Sequence, residues 1–216
     1  EEEINRLFLE IYGLQDEMTP GVSDEDITVS RADRDRDVRS FISYAVGCMF
    51  GRYSLDVDGL VYAGRDFDWS KYETFIPEPD NVIPVLDDVY FPGDIVSRFV
   101  EFVKVCFGET HLDKNLDWIA KTLGKNSGET SKDTIRRYFV NDFYRDHTRM
   151  YKKRPIYWMF SSGRENGFKA LMYMHRYRRD TVALVRTKYL LELTGRIDAA
   201  VKSLQRSIDS GNLGLT

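Results

Sequence analysis

Basic and aromatic side chains are concentrated in one stretch of the sequence, KKRPIYWMFSSGRENGFKALMYMHRYRRD, which covers residues 152–180. Lys and Arg neutralise phosphate groups and aromatic rings stack on exposed bases, so this combination is typical of a nucleic-acid-binding surface. The residues that we predict to contact DNA are Lys152, Lys153, Arg154, Tyr157, Arg164, Asn166, Arg176, Arg178 and Arg179. Phosphate contacts are expected from residues 152–154, 178 and 179, and base-edge contacts from Arg176, Arg164 and Asn166.

Each part of this stretch also has a purely structural interpretation. Large residues that alternate along a strand are usually buried, which predicts Trp158 and Phe160, more than Tyr157, to be core residues. The Lys and Arg clusters can equally be a solvated surface, or they can contact acidic side chains of the same chain. The residue types alone leave both interpretations open.

The charge of the chain is unevenly distributed. The formal net charge is −4, but residues 1–130 carry −14 and residues 131–206 carry +11. Such an asymmetry indicates a basic surface for a polyanion, in a chain whose overall acidity conceals it. The alternative is that the two halves pack together and neutralise each other.

Several classes of site are excluded by their missing motifs. The sequence contains no G-x-x-x-x-G-K-[ST] phosphate loop, no G-x-G-x-x-G dinucleotide loop and no G-x-S-x-G nucleophile elbow. Its two Cys and three His lack metal-ligand spacing, and the D-x-D-G element at residues 56–59 lacks the bidentate Glu of a calcium loop. No apolar run reaches the roughly 18–20 residues of a membrane span. We therefore predict no catalytic, cofactor or metal site in this chain, and no membrane partner.

Hydrophobic periodicity predicts an α+β fold that is mostly helical, with a small antiparallel sheet or hairpin and a long C-terminal helix. Two β-favouring segments, 156–161 and 168–175, flank the turn residues GRENG and are expected to pair as a hairpin. NVIPV is expected to be an edge strand because of Pro84, and GLVYAG (residues 59–64) a further short strand. The predicted helices are 4–14, 31–50, 95–108, 112–124, 131–149 and 181–209.

We divide the chain into two domains at the polar linker KNSGETS, residues 125–131. Residues 1–124 are expected to form an acidic helical scaffold with a loop-rich insertion. Residues 131–216 are expected to form a basic helix, the hairpin and the long C-terminal helix, whose apolar residues follow a heptad-like spacing. The chain begins without Met in an amphipathic helix, and its two Cys lie in apolar segments typical of reduced core residues, so we expect a piece of a longer cytoplasmic protein.

Three strings in the sequence resemble a known family: RSFISYAVGCMFGRYSLDVDGLVYAG, DIVSRFVEFVKVCFG and KKRPIYWMFSSGRENGFKALMYMHRY. They are similar to the C-terminal region of the PglX family, the adenine-specific DNA methyltransferases of type 1 BREX phage-defence systems. They are similar, more loosely, to type IIG restriction-modification enzymes. The resemblance covers nearly all of the chain, and it implies a bacterial, cytoplasmic setting with partners from a defence complex.

The resemblance does not extend to catalytic residues. Such methyltransferases use an [ND]-P-P-[YF] motif beside the flipped base and a Gly-rich loop for S-adenosylmethionine, and neither occurs in this sequence. The resemblance therefore implies a non-catalytic DNA-recognition segment, with double-stranded DNA and the N-terminal methyltransferase core as partners and S-adenosylmethionine bound by the parent enzyme. Whether the segment takes part in catalysis stays open. The alternative function is a protein-interaction module that docks other subunits of the defence complex through its acidic half or its C-terminal helix.

Overall fold

The structure, a computed structural model, describes residues 2–23, 31–164 and 167–210, and it separates after Asp37 into two units. Helix α1 (Glu2–Tyr12) belongs to the first unit and confirms the amphipathic helix predicted there. None of its residues is buried. The apolar residues of this helix that are more than half exposed include Ile4, Leu7, Phe8 and Ile11.

Five further α-helices of the described residues precede the hairpin. They are α2 (Arg34–Met49), α3 (Ile95–Phe107), α4 (Leu112–Thr122), α5 (Ser131–Asn141) and α6 (Phe143–Met150). Capping side chains explain where two of them begin. Asp94 accepts a hydrogen bond from the Ser97 amide at the start of α3, and Thr130 forms a capping box with Asp133 at the start of α5. The helices predicted over 31–50, 95–108 and 112–124 are confirmed by these bounds.

The predicted single helix over residues 131–149 is divided in the structure. It breaks at Asp142, whose backbone (φ −118°, ψ −39°) departs from regular helical geometry, although its amide still donates to the Tyr138 carbonyl. Both Phe139 and Phe143 reach the core across this break, and their ring centroids lie 5.4 Å apart. Hydrophobic periodicity does not reveal the break, because these two residues are four positions apart, as they would be on one face of a continuous helix.

A three-stranded antiparallel sheet contains the predicted hairpin. Strands β2 (Tyr157–Ser161) and β3 (Lys169–Tyr173) pair as expected, and β1 (Val82–Pro84) pairs with the other side of β3. The order β1-β3-β2 leaves Pro84 on an edge strand, where a missing amide hydrogen is tolerated. The predicted edge strand and the predicted α+β class are thus confirmed.

Both faces of the sheet pack against other elements. One face contributes Tyr157, Leu171 and Tyr173 to the main core cluster, which also contains the inward side chains of helices α2 to α6. The opposite face contributes Ala170 and the partly buried Phe160 to a second cluster. The central strand β3 is therefore shielded on both sides, and its residues from Ala170 to Tyr173 are all 0% exposed.

The expected burial of Trp158 is wrong. Its side chain is 43% exposed and Phe160 is half-buried, whereas Tyr157, for which burial is the weaker expectation, is 1% exposed. Alternation along β2 correctly predicts that Tyr157 and Trp158 lie on opposite faces of the sheet. It does not indicate which face meets the larger core, and the structure turns Tyr157 toward that core.

The predicted strand GLVYAG at residues 59–64 does not form, and the segment makes turns instead. Gly59 and Gly64 have φ angles of 80° and 113°, a conformation that interrupts an extended strand. The Tyr62 amide donates to the Arg52 carbonyl, and the Tyr62 ring is buried in the main core cluster. Within this segment Tyr62 alone is buried, whereas Leu60 is 55% exposed, so the β-favouring residues here indicate neither a strand nor a core segment.

The predicted long C-terminal helix is confirmed, but it is interrupted near its start. Helix α7 (Thr181–Leu184) leads into a π-helical segment (Val185–Leu190), which continues as helix α8 (Leu191–Asp209). Within the π segment, the hydroxyl of Tyr189 donates to Oδ2 of Asp80 at 2.8 Å, and its ring joins the second core cluster. These contacts anchor the start of the helix on the sheet.

The apolar side of α8 is buried only at its beginning. Leu193 is 2% exposed, whereas the later members of the predicted heptad-like spacing are 38% to 58% exposed. These later members, which we call the α8 stripe, are Ile197, Val201, Leu204 and Ile208. The heptad-like spacing therefore marks a surface of the described protein rather than a part of its core.

A buried ion pair joins the helices to the sheet. Asp94 is 0% exposed, and its carboxylate lies 2.5 Å from the Arg136 guanidinium of α5. The same guanidinium donates to the carbonyl oxygens of Leu86 (2.9 Å) and Asp88 (3.2 Å), in the chain that leaves β1. Asp94 also caps α3 by accepting from the Ser97 amide at 2.8 Å. One group of contacts thus fixes α3, α5 and the exit from β1.

Removing the acidic partner is expected to destabilise the fold strongly. Asp94→Ala leaves the Arg136 charge buried without its carboxylate and removes the cap of α3, so we expect the free energy of unfolding to fall by about 3–5 kcal/mol. Urea denaturation followed by circular dichroism measures this change. Glu192→Ala is the control, because its ion pair with Arg196 is half exposed at both ends and such pairs contribute about 0–1 kcal/mol. Equal losses in the two variants would contradict the role assigned to the buried pair.

Candidate nucleic-acid interface

The two basic clusters of the predicted DNA-binding stretch leave the sheet at the same end. Tyr157, the first residue of β2, pairs with Tyr173, the last residue of β3. Residues 152–154 precede this pair along the chain and residues 176–179 follow it. The structure therefore confirms the arrangement that a hairpin implies, in which both clusters emerge at one end of the two strands.

Lys152 and Lys153 have an uncommon backbone conformation. Their φ angles are 50° and 64°, in the left-handed region, which costs a residue with a Cβ roughly 1–2 kcal/mol. Hydrogen bonds hold the turn, since the Lys152 amide donates to the Arg149 carbonyl (3.0 Å) and the Lys153 amide to the Thr148 carbonyl (2.8 Å). The turn ends α6 and leaves both Lys side chains exposed. Backbone strain of this kind is concentrated at functional sites.

A basin of about 560 Å³, which we call the basic basin, opens beside this turn. It is lined by Arg145, Thr148, Arg149, Lys152 and Lys153. Arg145 forms an ion pair with Asp142, whereas no carboxylate of the described residues pairs with Arg149, Lys152 or Lys153. Part of this charge has a structural use, because cations near a helix C-terminus stabilise the helix. The three unpaired cations nevertheless remain available to phosphate groups.

The second basic cluster lies beside two exposed aromatic rings, which we call the exposed aromatic pair. Trp158 and Tyr177 are 43% and 46% exposed, and their ring centroids are 6.1 Å apart. Arg178 and Arg179 follow directly and are exposed; Arg178 lies 3.4 Å from Asp180 in an ion pair open to solvent. Rings for stacking and guanidinium groups for charge neutralisation thus occur together at this end of the hairpin.

Two of the predicted contact residues have roles inside the protein instead. Tyr157 is 1% exposed and stacks on Phe50, so its position in the core prevents contact with a duplex. The guanidinium of Arg176 donates to three backbone carbonyl oxygens at 2.9–3.2 Å, those of Phe50, Glu78 and Pro79. Donors that are bound in this way are not available to read a base edge. Tyr157 and Arg176 are therefore not expected to contact DNA, contrary to the prediction from the sequence.

The remaining predicted residues divide between the two ends of the hairpin. Arg154 is exposed directly after Lys153 and belongs to the basic end. Arg164 is exposed in the turn after β2, so the five residues of that strand, at about 3.3 Å each, separate it from the basic end. Asn166 lies outside the residues that the structure describes. The structure thus does not bring Arg164 together with the two basic clusters.

A buried His fixes the loop between α6 and β2. Nε2 of His147 accepts hydrogen bonds from the amides of Ile156 (3.1 Å) and Tyr157 (3.2 Å). Both bonds require an unprotonated Nε2. Burial, and after it the positive charge of Arg52, lowers the pKa of His147 to about 4. Neutral His147 thus ties the end of α6 to the start of β2 and holds the intervening basic turn in place.

The basic basin contains two cations that the sequence prediction missed, Arg145 and Arg149. Arg145 and Arg149 lie one helical turn apart on α6, and Lys152 follows three residues later. Cations at i, i+4 and i+7 share one face of a helix and its extension. This spacing is visible in the sequence and could have indicated the basin.

Three other kinds of site are not observed. No group of three or more His, Cys, Asp and Glu side chains could hold a metal ion within residues 2–23, 31–164 and 167–210. The strands in these ranges form an antiparallel sheet without the strand, glycine loop and helix that hold a dinucleotide-type cofactor, so these residues do not fit S-adenosylmethionine in that manner. No described helix is both long and apolar enough to cross a membrane.

Comparison with known proteins shows that the chain is similar to part of larger methyltransferases. Over 209 residues it is 52% identical to the adenine-specific methyltransferase PglX of Lacticaseibacillus casei (strain Zhang), a match that covers 95% of this chain and 17% of that protein. Over 241 residues it is 39% identical to the adenine-specific methyltransferase BrxX of Escherichia coli O9:H4 (strain HS), which covers 99% of this chain and 20% of that protein. No protein-family model matches the chain.

These matches indicate one class of protein, the adenine-specific methyltransferases, of which this chain corresponds to a segment. The chain spans 17% to 20% of the length of the curated relatives it matches. In particular, it matches the PglX and BrxX proteins along nearly its whole length, which confirms the resemblance predicted from three strings of the sequence. The small share of each relative that is covered is consistent with the predicted C-terminal location.

The stability of the protein is expected to fall as the pH drops from about 6.5 to about 4. In the unfolded chain, His147 takes up a proton near its ordinary pKa of 6.5, whereas the folded protein holds this pKa at about 4, so acid favours the unfolded chain. Complete protonation removes roughly 3 kcal/mol of the free energy of unfolding. Urea denaturation at several pH values across this range measures the loss.

His147→Gln is the matched variant for this measurement. The side-chain oxygen of Gln can accept the two amide hydrogen bonds, and it does not titrate in this range. Carboxylates that titrate toward pH 4 affect both proteins alike, so the difference between the two pH profiles reports on His147. Identical profiles would show that His147 is not the source of the acid sensitivity.

Proposed function

We propose that this chain is a non-catalytic DNA-binding segment of an adenine-N6-specific DNA methyltransferase of bacterial phage defence or restriction-modification. The names of the two similar proteins supply the reaction class. The observation that carries the DNA-binding role is the group of unpaired cations Arg149, Lys152 and Lys153, at the same end of the hairpin as Arg178 and Arg179. A polyanion is the ligand that such a group of cations attracts most strongly.

These cations would neutralise phosphate groups of the duplex backbone. Phosphate contacts supply affinity and fix the register and orientation of the protein, but they carry no sequence information directly. The hydrogen-bonded turn at Lys152 and Lys153 holds the backbone in place before DNA arrives, which reduces the entropy lost on binding. The segment would thus position the duplex, while the parent enzyme flips the target adenine into a pocket elsewhere and binds S-adenosylmethionine.

The distribution of internal ion pairs supports DNA contact at the basic end of the hairpin. Several cations of the basic half are neutralised within the structure, namely Arg136 by Asp94, Arg137 by Glu129 and Lys188 by Asp80. The cations of the basic basin at Arg149, Lys152 and Lys153 have no such partner among the described residues. A duplex is therefore expected to approach the basic end of the hairpin rather than the acidic surface.

The wider setting belongs to the same proposal. Residues 131–216 would supply the contact surface, and residues 1–124 would act as its scaffold. The partners would be double-stranded DNA and the methyltransferase core of the parent chain, in the bacterial cytoplasm. Membership of a BREX system follows the resemblance of the three strings, and the BrxX name of one similar protein supports it.

Charge removal in the basic basin is expected to weaken DNA binding and to reduce its salt dependence. Fluorescence anisotropy of a labelled duplex, titrated with this chain at several salt concentrations, measures both quantities. The slope of log K against log salt is negative, and each lost phosphate contact reduces its magnitude by about 0.9. Lys152→Gln/Lys153→Gln should therefore reduce the magnitude by roughly 2. At low salt, the same double variant should bind roughly tenfold more weakly.

Lys104→Gln/Lys121→Gln is the matched control. It removes the same charge from α3 and α4, where each Lys pairs with an acidic side chain, and it should bind like the wild-type protein. Equal weakening by both double variants would show that the change in net charge alone explains the weaker DNA binding. Unchanged binding by Lys152→Gln/Lys153→Gln, or no binding by the wild-type protein at low salt, would overturn the proposal.

The α8 stripe favours a second function, that of a protein-interaction module. Its four apolar residues are 38% to 58% exposed and are spaced by four, three and four positions, as on a helix that packs against another helix. Because the chain covers at most 20% of each similar protein, most of a parent methyltransferase lies outside it. We infer as the alternative that the stripe packs on another part of the parent chain.

Val201→Glu/Leu204→Glu in the full-length parent enzyme tests this alternative. Both side chains are more than half exposed here, so the change should leave this segment folded while it prevents packing of the stripe. Limited proteolysis should then cut α8 faster than in the wild-type enzyme, whereas Lys202→Glu/Gln205→Glu on the same helix should not change the rate. Unchanged cleavage would exclude the parent chain. Loss of a co-purifying subunit with unchanged cleavage would assign the stripe to that subunit.

A further inference from the structure

A cleft of about 290 Å³ opens next to the exposed aromatic pair. Its walls include Phe67, Trp69, Arg176 and Tyr177, and its rim includes Asp66 and Arg178. We call it the aromatic–arginine cleft. Tyr177 belongs both to this cleft and to the exposed aromatic pair, so the cleft adjoins the surface proposed to bind DNA.

The guanidinium of Arg176 lines the cleft as a fixed flat cation. Its Cζ atom lies 4.1 Å from the ring centroid of Phe67 and 5.5 Å from that of Trp69. Its bonds to three backbone carbonyls fix the orientation of the guanidinium plane. None of the described carboxylates forms an ion pair with it. A flat cation without a carboxylate in ion-pair contact, placed among aromatic rings, favours an electron-rich planar ligand.

Two aromatic rings of the cleft are open to solvent. Trp69 is 45% exposed and Tyr177 is 46% exposed. Trp69 begins a short 3₁₀ turn that is capped by Asp68, whose carboxylate accepts from the Ser70 amide at 3.1 Å. The indole is thus carried by a fixed backbone although its ring is exposed. Exposed rings on a rigid support are the platforms on which proteins stack unpaired bases.

The rim of the cleft offers a free acceptor beside exposed cations. The carboxylate of Asp66 is exposed and has no hydrogen-bond or ion-pair partner among the described residues. Asp80, which also lines the cleft, is already bound by Lys188 and Tyr189. Arg178 has only its solvent-exposed ion pair. Asp66 can therefore accept from an amine, and Arg178 can meet a phosphate.

We propose that the aromatic–arginine cleft binds one unstacked nucleobase that carries an exocyclic amine, within a DNA strand held by the basic clusters. The base stacks on the rings of Trp69 and Tyr177, its amine donates to Asp66, and Arg178 neutralises the adjoining phosphate. A volume of about 290 Å³ suits a single base, because it lies at the lower limit of ligand pockets, ~300 Å³. This site, which rests on the proposed DNA-binding function, holds a base and does not modify it.

The test compares duplexes that differ in one base. A fully paired labelled duplex, one with a single extrahelical adenine and one with a single extrahelical thymine are titrated with this chain by fluorescence anisotropy. The extrahelical adenine should raise the affinity about 5- to 100-fold over that of the paired duplex, as expected for stacking on aromatic side chains. Thymine should gain less, because it has no exocyclic amine.

Two variants assign the effect to the cleft. Trp69→Leu should abolish the preference for the extrahelical adenine and leave binding of the paired duplex unchanged. Asp66→Asn should reduce the difference between adenine and thymine. Both side chains are substantially exposed, and thermal unfolding followed by circular dichroism verifies that the variants fold. Lys152→Gln/Lys153→Gln should weaken all three duplexes by the same factor.

Failure of the cleft and failure of the DNA-binding role have different signatures. Equal affinity for the three duplexes, or an unchanged preference in Trp69→Leu, would overturn the cleft and leave the DNA-binding role intact. If no duplex binds, that role fails, and the cleft is tested directly with dAMP against deoxyribose 5-phosphate. Saturable quenching of tryptophan fluorescence by dAMP alone, absent in Trp69→Leu, would support a base site, and no base-dependent quenching would overturn it.

Discussion

The buried contact between Asp94 and Arg136 is the constraint on which the arrangement of helices and sheet depends. A carboxylate that is fully removed from water is tolerated only when it is paired and hydrogen-bonded. The Ser97 amide donates a hydrogen bond to one carboxylate oxygen of Asp94, and Arg136 forms an ion pair with the other. Arg136 also holds the chain that leaves β1 through two backbone carbonyls. Because β1 pairs with β3 and β3 with β2, the hairpin is positioned relative to the helices through the same contact. The hairpin that carries the candidate interface is therefore tied to the helices through β1.

The positive charge of residues 131–206 has two uses that composition cannot distinguish. Arg136 and Arg176 donate hydrogen bonds to backbone carbonyls of distant segments, so these carbonyl oxygens take the place of water around their guanidinium groups. Lys152 and Lys153 keep their hydration, which a phosphate group can replace later. All four contribute equally to the net charge of +11. Only burial and partners decide which cations are free to meet a polyanion.

Elements that depend on local chemistry could be predicted from the sequence, and contacts between distant segments could not. The hairpin follows from β-favouring residues around a glycine turn, and its pairing alone brings both basic clusters to one end. The orientation of Tyr157 and Trp158 depends on which face of the sheet meets the larger helical layer. The alternation of residue types along β2 does not indicate that face. Arg176 resembles a surface cation in the sequence because its carbonyl partners are 97 to 126 residues away. Arg149 could have been found, since its spacing from Lys152 is local.

The π-helical segment Val185–Leu190 sets the rotational phase of the helix that follows it. A π turn closes its hydrogen bond one residue later than an α turn, and each residue of an α-helix advances the rotation by about 100°. Without that extra residue, Leu193 would turn away from the second core cluster, and the α8 stripe would face a direction about 100° away. The length of the π-helical segment therefore determines the direction in which the α8 stripe faces. Over evolution, single-residue insertions and deletions there would redirect it more effectively than substitutions in the stripe.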